Sequence, residues 1–177
     1  VAATTTATGG FNVGTIKEPG NKAPEMTIDS EGVVKLPQAP CFFITGSNAA
    51  YVNTSPIPFG APAIDTRSGV DLSNNKYVVP VAGKWHFHMQ LGIVQVTGAG
   101  DTYPPIQRTT SGGTATGFGY SYYNPANSSS VQSYSHSDVD AFIDCAVGDS
   151  INVLFYQSNG TYYNGTNECR FFGHFLG

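Results

Sequence analysis

His86 and His88 stand two residues apart in the run Lys84-Trp85-His86-Phe87-His88-Met89-Gln90. On an extended strand, residues i and i+2 share a face, so the two imidazoles project the same way. Such a pair can ligate a divalent metal, or it can sit neutral and hydrogen-bonded at a contact between subunits. The second account requires no ion and is the one adopted.

The other reactive residue types form no catalytic arrangement. Gly119-Tyr120-Ser121 continues into Tyr122-Tyr123, without the second glycine of a nucleophile elbow. Gly112-Gly113-Thr114-Ala115-Thr116-Gly117 has no lysine to reach a phosphate. The acids are scattered, and no pair is spaced for general acid–base work. The expectation is a protein that is not an enzyme and carries no cofactor. Cys41, Cys145 and Cys169 are odd in number and lack CxxC spacing, which argues against a zinc site or a disulfide framework. They read as buried thiols, with a Cys41–Cys169 bridge as the alternative.

A second cluster is aromatic: Phe118, Tyr120, Tyr122, Tyr123 and Tyr134, in a stretch rich in Ser, Gly and Asn. That composition suits an adaptable recognition surface for a glycan or protein. Ordinary strand and interface filling is the competing account and the preferred one.

These residues must be positioned by strands. Short β-type runs recur between turn clusters: 41–45, 77–81, 84–96, 139–145, 151–156 and 170–176. No segment shows sustained helical periodicity. Trp85, Phe87 and Met89 alternate onto one face, which predicts a sandwich core, while Lys84, His86, His88 and Gln90 fall on the other. Residues 98–136 are expected to hold two weakly signalled strands and exposed loops. Before Pro37-Gln38-Ala39-Pro40, the pieces Phe11-Asn12-Val13, Met26-Thr27-Ile28 and Val33-Val34-Lys35-Leu36 read as a β-rich arm, residues 1–40, with little interior of its own. The head is residues 41–177.

Of the 177 residues, 40% are apolar but only 11% are charged, far below the roughly 25% of an average domain. A weakly charged polar surface suits packing against other subunits, where each buried charge would require a partner. The net charge is −4, with no basic run. That excludes a counterion-displacing nucleic-acid interface, and no apolar stretch is long enough to span a membrane as a helix. Sequons at Asn53, Asn127, Asn159 and Asn164 are expected by chance in so Asn-, Ser- and Thr-rich a chain. Val1 is the kind of small residue left when an initiator Met is removed, so the chain reads as a complete small protein, with a mature fragment as the alternative.

Phe59, Asp65, Tyr77, Gly83, Trp85 and Phe87 stand at the spacing of the C1q globular-head motif. Val147-Gly148-Asp149-Ser150-Ile151 and Phe171-Phe172-Gly173-His174-Phe175-Leu176 are similar to that family's late turn and final strand. Val70 and Met89 depart from its usual bulkier or aromatic residues but stay apolar. Residues 41–177 thus resemble a C1q/TNF-like head. The stretch from Met26 to Pro37 is similar to the lead-in before such heads in phage structural proteins.

The resemblance implies an all-β, ten-stranded jelly-roll sandwich that forms a homotrimer. It places Lys84, His86, His88, Gln90, Asp138, Phe171 and Gly173 toward the trimer axis. Around such an axis His86, His88 and Asp138 are the candidate metal ligands. The functional expectation is a virion surface protein assembled in the host cytoplasm. Residues 1–40 would dock on other virion proteins, most simply as a capsid decoration. A tail-fibre tip that binds a host receptor and a secreted C1q-like recognition protein are the alternatives.

Overall fold

The computed structural model describes residues 15–16, 26–28, 31–35, 39–47, 50–51, 56–95, 102–103, 105–120, 133–157, 162–163 and 169–177. The chain divides into two compact units, Val1–Ala39 and Pro40–Gly177. In the first, Thr15–Ile16, Met26–Ile28 and Val34–Lys35 form a small antiparallel meander. The expected piece Phe11-Asn12-Val13 lies outside the described residues.

The second unit is a jelly roll of two antiparallel layers. One layer runs in the order Ala115–Tyr120, Pro105–Thr109, Ser150–Val153, Lys76–Val78, Val70–Asp71. The first two of these are the weakly signalled strands of the 98–136 stretch, joined at Gly112 and Gly113. The other layer is centred on Gly83–Gln95. Ser133–Cys145 pairs with one of its edges and Arg170–Phe175 with the other. Cys41–Gly46 and then Phe59–Asp65 continue the sheet beyond Arg170–Phe175. Two short pieces, Tyr162–Tyr163 and Ala50–Tyr51, extend it at the end of Gly83–Gln95.

Alternation along Gly83–Gln95 fills the core as its sequence predicts. Trp85, Phe87, Met89 and Leu91 are fully buried. Rings interlock between and within the layers: Phe42 stacks on Tyr77 of the other layer at 4.0 Å, and Phe59 stacks on Phe171 of the same layer at 5.5 Å. Such contacts add directional stability to plain area burial. Met89 is buried, and Val70 packs against the core, so both departures from the head motif keep an apolar role.

The remaining motif positions hold turns. The Asp65 carboxylate accepts backbone N–H bonds from Gly69 at 3.1 Å and Val70 at 2.9 Å, closing the loop into the next layer. Gly83 has φ of 140°, and a Cβ there would lie 2.6 Å from the Gly177 carbonyl. Only glycine lets the chain end pass so close. The turn at Gly148, with φ of 84°, is fastened by Ala146 N–H donating to Asp149 Oδ2 at 3.0 Å.

Register overturns one part of the axis assignment. Phe171 pairs with Met89 and Gly173 with Phe87, so both belong to the core face. Phe171 is fully buried, and a Cβ on Gly173 would lie 2.6 Å from the rings of Phe42 and Phe87. Residues 171 and 173 therefore face away from His86 and His88. Their neighbours Phe172 and His174 take the positions opposite the two histidines.

Register also removes the disulfide alternative. Cys41 pairs with His174, whereas Cys169 lies beside Gly46 at the far end of the same strand pair. Five residues of strand span about 16 Å, well past the roughly 7 Å limit between bridged Cα atoms. None of the three cysteines is in a disulfide, and Cys145 and Cys169 are buried.

Candidate functional site

The face of the larger sheet turned away from the core is built in rows across its strands. One row reads Phe142, His86, His174, Cys41; the next reads Asp140, His88, Phe172, Phe43, Ile64; the third reads Asp138, Gln90, Arg170, Thr45. Each row follows from strict alternation, because the buried residues between these positions fill the core.

Ring contacts run along each of the first two rows, and His86 meets Phe172 between them at 6.3 Å. The His86 imidazole stacks on Phe142 at 4.7 Å and meets His174 edge-on at 5.0 Å. His88 stacks on Phe172 at 4.8 Å, and Phe172 approaches Phe43 at 6.4 Å. An aromatic band thus runs from strand Ser133–Cys145 to strand Cys41–Gly46. Beyond its centre it opens into an apolar hollow of about 320 Å³ lined by Cys41, Phe43, Ile64, Phe172 and His174. Phe142 and Ile64 remain 66% and 50% exposed.

Asp140 organises the histidines. Its Oδ1 lies 2.7 Å from His86 Nε2 and 3.0 Å from His88 Nδ1. Both rings can donate to one carboxylate oxygen while neutral, which sets their tautomers. The bond from His86 holds the Asp140 carboxyl below its ordinary range; partial burial opposes this, and the bond from His88 adds to it. Asp138 is less closely engaged, with Oδ1 3.7 Å from His88 Nε2. Lys84 reaches Asp144 at 4.0 Å across exposed surface, a pair of little energetic weight.

The structure therefore brings Lys84, His86, His88, Gln90 and Asp138 to one face. It adds Asp140, Phe142, Phe172 and His174, which sequence reasoning missed. A signal for the first two was present: Asp138, Asp140, Phe142 and Asp144 alternate with Val139, Ala141, Ile143 and Cys145. Among the described residues, no group of three or more His, Cys, Asp or Glu side chains is arranged to hold a metal ion. The point where the two imidazoles converge is occupied by the Asp140 oxygen. What this face offers chemically is stacking, shape and paired polar groups.

The aromatic cluster divides. Phe118 packs against the core with the Arg108 guanidinium 5.7 Å above its ring, whereas Tyr120 is exposed. Tyr122 and Tyr123 lie outside the described residues, as does the side chain of Tyr134, whose backbone pairs with Val94.

No family model and no curated protein matches the chain. Solved structures do. The globular domain of zebrafish complement 1qA protein is 15% identical with a TM-score of 0.56, covering 78% of this chain and 98% of that one. Eiger TNF from S. frugiperda is 10% identical with a TM-score of 0.65, covering 79% and 94%. Murine APRIL, solved at pH 8.0, is 10% identical with a TM-score of 0.60, covering 77% and 98%. The chain thus has the fold of C1q and TNF-type globular heads. At these identities the likeness establishes architecture alone.

Proposed function

We propose that the chain is a non-enzymatic, homotrimeric head displayed on the surface of a phage particle. One observation carries the trimer: the aromatic and histidine face of the larger sheet, with Phe142 and Ile64 open to water. A contiguous apolar patch on one sheet face marks a contact surface, and heads of this fold close on the corresponding face around a three-fold axis. The low charge of the chain, 11%, is consistent with burial between subunits. Light scattering of the full chain at micromolar concentration should give three times the protomer mass of 18.7 kDa; a clean monomer rejects the assembly.

The virion placement rests on the lead-in from Met26 to Pro37 and on the arm, residues 1–40. The apolar pieces of the arm's sequence are too short to supply a core of their own, so a surface that completes them would stabilise them. The capsid exterior is the proposed surface, with the head facing out. The full chain mixed with particles stripped of it should rebind the capsid shell and leave host cells untouched. Binding to host cells without affinity for capsids would instead make it a receptor-binding fibre tip.

A further inference from the structure

Phe142 and the apolar hollow lie on the same sheet face, toward opposite sides of it. Between Phe142 and Cys41 the row crosses His86 and His174. Three inter-strand steps amount to about 14 Å, so Phe142 does not reach the hollow of its own protomer. The ring stacks on His86, with the two planes 16° apart. Its 66% exposure is a large apolar area left in water. The hollow, about 320 Å³, is the complementary feature. A dry cavity of about 150 Å³ admits a benzene molecule, so a phenyl ring has room.

Charge is divided in the same sense. The strand that carries Phe142 presents Asp138, Asp140 and Asp144 on this face. The strand beside the hollow presents exposed Arg170 and His174. A projecting ring on an acidic strand and an apolar hollow beside the strand that carries Arg170 are complementary in shape and in sign. Being different patches, they suit a head-to-tail contact, which closes into a ring when repeated by rotation.

Building on the trimeric reading above, we propose that Phe142 of each protomer inserts into the hollow of the next, between Cys41, Phe43, Ile64 and Phe172. The occupant of the hollow is a second copy of this chain, and Phe142 is the anchor of the contact.

Cys41 lines the hollow and is free, which makes the contact testable by cross-linking. The full chain carrying Phe142→Cys is treated with a mild oxidant or a short bis-maleimide. Non-reducing gels should show covalent dimers and trimers that disappear in Phe142→Cys/Cys41→Ser. Phe142→Ala, with an unchanged far-ultraviolet spectrum, should weaken self-association about tenfold or more, as loss of an aromatic anchor does. A wild-type trimer in which Phe142→Cys gives no Cys41-dependent species, and Phe142→Ala leaves association intact, overturns the insertion and leaves the trimer standing. A wild-type chain that is monomeric by light scattering removes the trimer itself.

Discussion

The carboxylate of Asp140 lies 2.7 Å from Nε2 of His86, across the pairing of the two longest strands among the described residues. This contact couples a charge to the face of the larger sheet that is turned away from the core. Asp140→Asn removes the charged acceptor and keeps the shape. The folded Asp140 carboxyl is depressed, chiefly by the bond from His86. Its contribution to stability is therefore complete above the unfolded value of about 3.9 and is lost as pH falls through the lower folded value. Urea midpoints measured from pH 6 down to 2 should fall less steeply at the acid end in the variant. Parallel acid limbs in the two proteins would show that the charge contributes nothing to folding.

Phe171 and Phe172 are adjacent in sequence and opposite in environment. Phe171→Ala opens a cavity among Phe42, Phe59 and Phe87, at a cost of about 3–5 kcal/mol. Phe172→Ala removes a half-buried ring on the open face and should cost less in stability of the fold. Denaturant titration of both variants at one protein concentration decides the order. A larger loss for Phe172 would mean that the face, rather than the core, dominates stability.

Gly173→Ala should be disproportionately harmful for a one-carbon change. The new Cβ meets ring carbons of Phe42 and Phe87 at 2.6 Å, and those buried rings already pack against each other, Tyr77 and Trp85. Overpacking of this kind costs about 1–3 kcal/mol. A thermal melt of the variant within a degree of wild type would contradict the packing described.

Cys145 should stay silent toward thiol reagents in the folded protein. Burial pushes its thiol up to about 11, and the nearby Asp149 acts in the same direction. The thiolate is the reactive form, so at pH 8 burial and protonation both protect it. Alkylation followed by peptide mass spectrometry should find Cys145 modified only after unfolding in urea. Rapid native labelling would place it at an accessible surface.

Alternation settles the face of most strands without any coordinates. Trp85, Phe87 and Met89 against Lys84, His86, His88 and Gln90 leave one orientation in which apolar groups leave water, and the structure has it. The glycines and aspartates of the tight turns were legible for the same local reason, since a positive φ or an N–H acceptor is a property of one or two residues. The last strand was not legible. Arg170-Phe171-Phe172-Gly173-His174-Phe175 has an aromatic in both parities, so hydrophobicity alone does not choose which Phe is inside. Pairing of Phe171 with Met89 chose it, and the space that Gly173 leaves for Phe42 and Phe87 holds it there. The convergence of His86 and His88 on Asp140, more than fifty positions away in the chain, is likewise a product of register. So are the separate positions of Phe142 and the hollow beside Cys41. Local sequence determines which residues a strand offers to each side, because side-chain direction repeats every two residues. Which of them meet depends on how strands distant in the chain are slid past one another, and only the folded sheet decides that.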